Sequence, residues 1–475
     1  MRICVIGAGP AGITCAYELS KRGFEVDVYD AAPQVGGMAK TFELWNQKVD
    51  LGPHRFFSSD PRVNKLWLEV VGRDYAMVDR LTRIYYKRRF FMYPLKPVNA
   101  LLNLGVFEAV RCVLSFVTQQ VLGSRNNDQS TFEGWVVSRF GRRLFEIFFK
   151  SYSEKLWGIS CLDLDADFAA QRIKKLSLYE AVKNAFIGGG KTRHKTLVDR
   201  FAYPFEGTGV VYDRMAQKVV ENGGRVLLST PVRRVTTEGM RATGIELENG
   251  EVLQYDHVVS SMPLTQVVQR MDGCPADVVE ASRRLKFRNT ILVYLKVESD
   301  RLFPDNWLYV HSPDLLMGRV TNFRNWVPQL YGNEKSSILS LEYWCNDDEE
   351  MWRWDDARLV ELARKEIEKT GLTEGAPISA GAVRRVPKCY PVYRVGYKDE
   401  LQKVVDHLRD VDSFTVIGRY GAFKYNNQDH SILMGLLAAE SISGDAENDL
   451  WKINTDYEYQ EKSSITETGL VSSAS

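Results

Sequence analysis

The sequence predicts an α/β protein. A parallel, dinucleotide-binding sheet is interrupted by a helical insertion and completed by a second domain of mixed strands. Three observations carry this prediction. Strand, glycine-rich turn, helix and second strand follow one another within residues 2–30. Residues 98–160 have mainly helical periodicity. From residue 205 onward short β-patterned runs dominate, and a strand–glycine–helix order returns at residues 414–441.

Arg2–Ile6 is a short apolar strand, and Gly7, Gly9 and Gly12 follow as G-x-G-x-x-G. Residues 13–22 read as a helix with Ile13, Ala16, Tyr17 and Leu19 on one face. Phe24–Tyr29 reads as a second strand ending at Asp30. In this Rossmann-like unit Gly7 allows the turn, Gly9 lets the backbone approach a pyrophosphate, and Gly12 lets helix and strand pack closely. The first N–H groups of the helix face the phosphates, and Asp30 is placed to accept from a ribose hydroxyl. The glycine pair Gly36-Gly37 comes six residues after the acid. That pair resembles the glutathione-reductase type of flavoprotein, which implies FAD as the cofactor.

A chain of 475 residues has room for two or three structural units, and 44% apolar residues supply their cores. The formal net charge of +1 gives no electrostatic case for nucleic acid. Seven scattered cysteines without C-x-x-C argue against a disulfide framework or a zinc site, and for a reducing, cytoplasmic setting. No metal-ligand spacing is present among the six histidines. With the first strand starting at residue 2, no signal peptide is expected.

His54 stands in a Gly-Pro loop, Gly52–Phe57, after an expected strand at 46–50. Residues 60–71 read as a helix and 83–93 as a hairpin. In residues 98–122, Leu104, Phe107, Val110, Leu114 and Val117 recur at helical spacing, while Glu108 and Arg111 exclude a membrane span. The expectation is one amphipathic helix buried in the second domain, hence no membrane association; a helix lying on a membrane surface is the alternative. A polar loop at 124–130 and helices at 131–140 and 142–155 follow. Phe148, Phe149, Tyr152 and Trp157 read as core from spacing alone, with an aromatic wall for a base or sugar as the second reading. A helix follows the glycine turn at 205–209, and strands at 226–235, 244–253 and 256–261 return the chain to the first domain. Residues 285–345 read as strands of the second sheet, 353–370 as a helix, 414–417 as a strand and 431–441 as a helix. Ser463–Ser475 reads as a disordered tail.

Three further blocks resemble the UDP-galactopyranose mutase family, which is related to protoporphyrinogen oxidase and the flavin amine oxidases. They are GPHRFF at 52–57, FFKSYSEKLWG at 148–158, and the pair CYPV at 389–392 with GRYGAFKYNNQDHSI at 418–432. The resemblance implies a glutathione-reductase-type FAD domain in discontinuous pieces, 1–75, 205–265 and 401–450. Between them come a helical insertion with part of the substrate domain, 76–204, and a substrate-domain sheet, 266–400; residues 451–475 form the tail. It implies that His54 lies against the flavin, that Tyr152 and Trp157 contact the uridine side of a substrate, and that Tyr390 and Tyr425 bond its diphosphate. Arg419 would favour the reduced flavin, and Gly418 and Asp429 would help hold the cofactor.

Asn427, at the substrate, stands where the family has an aspartate, and Phe57 replaces a second histidine. Gln329-Leu330 follows Val327-Pro328 where a diphosphate-clamping arginine is expected, which leaves Arg200, Arg319 and Arg324 as substitutes. The implied reaction turns a nucleoside-diphosphate hexopyranose into its furanose by attack of reduced flavin N5 on the anomeric carbon. The alternative is an oxidoreductase of the protoporphyrinogen oxidase or amine oxidase type, and a homodimer is compatible with either.

Overall fold

The computed structural model describes residues 1–93, 95, 97–122, 128–167, 200–453, 463–466 and 469–472. Residues 124–127 of the expected polar loop and 467–468 and 473–475 of the expected tail lie outside the described residues. The first unit is a five-stranded, wholly parallel sheet. Its strand order is Phe414–Val416, His257–Ser260, Arg2–Ile6, Glu25–Tyr29, Arg225–Leu227. The strands come from distant parts of the chain, and their sheet is covered on both faces. On one face Ile3, Val5, Val26 and Val28 pack with helices Pro10–Lys21, Val210–Glu221 and Gln428–Ser443, the last lying along the first. On the other, Cys4, Ile6, Tyr29 and Val258 pack with a three-stranded meander, Val232–Glu238, Arg241–Leu247 and Val252–Gln254.

The second unit is a seven-stranded sheet. Its order is Ile378–Val392, Lys286–Val297, Ser337–Cys345, Arg319–Asn322, Trp307–Val310, Thr82–Tyr86, Arg89–Met92. All neighbours are antiparallel except Trp307–Val310 with Thr82–Tyr86. The register sets Ile84, Tyr309, Arg319, Glu342 and Leu292 directly opposite one another in one transverse row. Side chains in such a row point to the same face.

Three expectations are corrected. The helix expected over 98–122 is two helices, Pro97–Leu104 and Val106–Leu122, broken at Gly105 with φ +87°. Its apolar stripe is not buried: Phe107, Val110, Leu114 and Val117 face outward, and the helix packs instead through Cys112 and Phe116. The final helix starts at Gln428, three residues before the expected start, because Asn427 caps it reciprocally with His430. In the tail, Ser463–Thr466 pairs with Gly469–Ser472 as a hairpin. It is held where the Tyr75 hydroxyl donates to the Thr466 carbonyl at 2.6 Å and Ile465 meets the core.

Candidate active site

A cavity of about 1090 Å³ runs between the two units. That is more than a single small ligand needs and suits a cofactor with a substrate beside it. At one end are Gly7, Gly9, Pro10, Ala11 and Gly37. Strand Arg2–Ile6 delivers the chain to Gly7, whose N–H donates to the Tyr29 carbonyl at 2.7 Å. A Cβ at Gly12 would lie 1.9 Å from the Gly7 carbonyl oxygen, so only glycine lets this helix sit on the turn. At Gly9 the nearest atom to an added Cβ is the Gly37 Cα, 3.8 Å off, so the space there belongs to the cavity. The helix Pro10–Lys21 begins with no side-chain cap, leaving its first N–H groups to an outside anion.

The other expected residues at this end are placed as follows. Asp30 lines the cavity, but its carboxylate already accepts from the Ala8 and Ala32 N–H groups, each at 2.7 Å. One N–H of the glycine loop is thereby taken by the acid. Gly36 does not reach the cavity wall; it turns the chain at φ +97°, and its N–H donates to the Ala8 carbonyl at 2.8 Å. Gly418 and Asp429 complete this wall.

The loop Leu51–Phe57 forms the middle of the cavity, and Asp50 anchors it. Its buried carboxylate accepts from the Thr41 hydroxyl at 2.5 Å, the Tyr203 hydroxyl at 2.7 Å and the Thr208 N–H at 3.2 Å. Burial pushes the Asp50 carboxyl up to about 7. Gln428 Nε2 donates to the Arg55 carbonyl at 2.9 Å, and Phe56 stacks on Trp67 at 4.5 Å. The His54 ring hangs from this loop, its Nδ1 3.1 Å from the Gly52 carbonyl. Burial, reinforced by the cations of Arg319 and Arg419, pushes its pKa down to about 4, so His54 is neutral near pH 7.

At the far end Tyr390 and Tyr425 stack with ring centres 5.4 Å apart, and Trp157 meets both edge-on at 6.1 Å. The Arg419 guanidinium lies 4.8 Å and 4.4 Å from their ring centres. Two of its N–H groups are committed, to the Cys389 and Asn426 carbonyls at 2.9 and 2.8 Å. Arg319, half-buried like Arg419, donates through Nε and Nη2 to Glu342 at 2.7 and 2.5 Å and reaches the Tyr390 hydroxyl at 3.4 Å. Of the three substitute arginines, only Arg319 enters the cavity. Arg324 is turned to the Glu334 and Ser336 carbonyls, and Arg200 pairs with Asp79 at the surface. Asn427 lines the cavity while capping its helix.

Phe148 and Trp157 belong to the buried core, with Phe149 and Tyr152 packed against it, and all four also line the cavity. A π-turn over Glu146–Lys150 swings Phe148 and Phe149 there. Tyr152 stacks on His311 at 4.6 Å and stands edge-on to Tyr309 and Trp344, each at 5.7 Å. Tyr309 and Glu342 carry no local sequence signal and arrive through the sheet register, His311 directly follows the strand of Tyr309, and Arg55 stands beside His54 in the GPHRFF block. Among the described residues Arg55 Nη1 is buried at the cavity without a hydrogen-bond partner. Such an orphaned cationic donor, with the uncapped helix and the glycine-lined space, fits a phosphate-bearing cofactor.

The family described as flavin containing amine oxidoreductase matches residues 10–442. Coproporphyrinogen III oxidase of Mycobacterium tuberculosis is 24% identical over 316 residues, 63% of this chain and 67% of that protein. A probable UDP-galactopyranose mutase of Klebsiella pneumoniae is 28% identical over 174 residues, 34% of this chain and 43% of that one. The crystal structure of a reduced UDP-galactopyranose mutase superposes with a TM-score of 0.83 over 96% of both chains, at 21% identity.

Proposed function

The chain belongs to the flavin containing amine oxidoreductase family and is a flavoenzyme; from that premise we propose that it binds FAD non-covalently and isomerises a nucleoside-diphosphate hexopyranose to its furanose. The observation that carries this reading is the cluster of Tyr390, Tyr425, Arg319 and Arg419 at one end of a two-ligand cavity. When bound, reduced flavin would supply a nucleophile at N5 for the anomeric carbon, which must release its nucleoside diphosphate and later take it back, so that mass is unchanged. Hydroxyls backed by half-buried cations are suited to stabilise the charge of that leaving group.

The residues divide the work. Gly7, Gly9 and Gly37 leave room for the cofactor pyrophosphate, and Asp30 offers its remaining lone pairs to a ribose. Gly418, just after strand Phe414–Val416, and Asp429, on the helix Gln428–Ser443, would hold the cofactor from its other side. Neutral His54 orients the ring system without placing a positive charge beside it. Tyr390 and Tyr425 donate to the diphosphate, and Arg319 and Arg419 polarise their hydroxyls. Tyr152 and Trp157 stack on the base, with Asn427 at the rim of the same site.

A second reading is an oxidase that takes hydride from its substrate. The likeness to coproporphyrinogen III oxidase, which extends over 316 residues, favours it. An anaerobic titration separates the two. Oxidised protein mixed with UDP-galactose should keep its flavin spectrum, and dithionite-reduced protein should give a product of unchanged mass. Bleaching of the oxidised flavin by substrate alone would overturn the mutase reading.

A further inference from the structure

The helical insertion presents an apolar face that is left uncovered among the described residues. Phe107 is 88% exposed, Val106 79%, Leu102 76% and Val121 74%, with Leu114 at 59% between them. Isolated exposed apolar residues are ordinary, but a continuous stripe of them marks an interaction surface. The opposite face of the same helix does pack, through buried Cys112 against the rest of the insertion. The stripe is therefore an outward face of an ordered element.

Cations flank it. The hairpin turn beside it carries exposed Lys87, Arg88 and Arg89 in succession. Arg89 Nη1 donates to the Asn103 carbonyl at 2.5 Å, which fixes this turn against the junction of the two helices. Arg111 stands exposed within the stripe itself. The one acid on Val106–Leu122, Glu108, is neutralised by Arg143 and Arg111. Helix Val106–Leu122 has 17 residues, about 26 Å at the usual rise. Among the described residues no helix is long and apolar enough to cross a membrane. An apolar stripe bordered by lysine and arginine on a helix of this kind suits a position in the plane of a bilayer surface.

We propose that the face formed by Pro97–Leu104, Val106–Leu122 and the turn at Lys87–Arg89 docks the enzyme on an anionic lipid bilayer. The apolar side chains enter the acyl boundary and the cations meet lipid phosphates. A second copy of the chain fits this surface less well, since a two-fold contact through it would bring the same cations together. Docking here also brings the cavity near the lipid, because Tyr93, which lines it, lies just before the first of these helices.

The test is sedimentation of the flavin-loaded protein with phosphatidylcholine vesicles, with and without phosphatidylglycerol. Binding to the anionic vesicles should be at least about tenfold stronger at low salt and should weaken as salt rises. Phe107→Asp with Leu114→Asp should abolish binding to both kinds of vesicle, whereas Lys87→Glu with Arg88→Glu should remove only the advantage of anionic lipid. All four positions are exposed, so flavin content and circular dichroism should match the parent protein. Two results would overturn the proposal. One is no sedimentation with anionic vesicles; the other is a dimer in light scattering that Phe107→Asp converts to monomer, which would give the face to a second copy.

Discussion

The two ends of the cavity are built in opposite ways. The glycine end is led by residues 7–37, one continuous stretch whose geometry follows from its own glycines, with Gly418 and Asp429 completing its wall. The tyrosine end takes Tyr152, Trp157, Tyr309, Arg319, Glu342, Tyr390, Arg419 and Tyr425 from well-separated parts of the chain. The contrast teaches where tolerance lies. A turn constrained by backbone contact admits no side chain, while a cluster of packed side chains fails one interaction at a time.

The sharpest way to break the comparison is at the glycines. Gly12→Val would drive a side chain into the Gly7 carbonyl and should cost more than about 4 kcal/mol, abolishing cooperative melting and flavin content together. Gly9→Val meets open cavity instead. It should leave the melting of flavin-free protein nearly unchanged and abolish flavin absorbance after incubation with FAD. If both variants melt alike without flavin, the glycine end is not divided between packing and ligand space as described.

At the tyrosine end the largest effect should come from Arg319→Met. It leaves Glu342 buried and unpaired, at a cost of about 3–5 kcal/mol in urea unfolding. Arg319→Met combined with Glu342→Leu should recover most of that loss, whereas substrate binding should stay impaired in both variants.

A smaller, pH-dependent effect belongs to His54. Its folded pKa, about 4, lies below the ordinary 6.5, so the folded state binds fewer protons than the unfolded chain between those values. The contribution is fully present above about pH 6.5 and declines as pH falls toward 4, by up to roughly 3 kcal/mol. His54→Gln should remove this share of the acid slope. The slopes from half-buried His257 and buried His311, likewise pushed down to about 4 and 3 by desolvation, should remain. Urea melts at a series of pH values read this directly.

The smallest effect should come from the hydroxyls. Tyr390→Phe or Tyr425→Phe keeps the stacked rings and should weaken UDP binding to reduced protein by about 1–3 kcal/mol in calorimetry, with stability nearly unchanged. Equal affinity in all three proteins would remove the diphosphate from this end of the cavity.

By itself the sequence determined the parallel nucleotide-binding unit, because glycines at turns, alternation in strands and an acid at a strand end are local constraints that any folding of this stretch must satisfy. It also pointed to His54, Tyr390, Arg419 and Tyr425, through short blocks that keep their neighbours. It did not determine which face of Val106–Leu122 is buried, since a periodic apolar stripe shows that a face exists but not what covers it. Nor did it single out Arg319 over Arg324, five residues away. That choice was made by strand register: Tyr309, Arg319 and Glu342 are remote in sequence, yet they stand directly opposite one another across three strands. Side chains alternate along each strand, so a slip of one residue would have turned Arg319 to the other face of the sheet. Register is a pairing between distant segments, and only the tertiary structure fixes it.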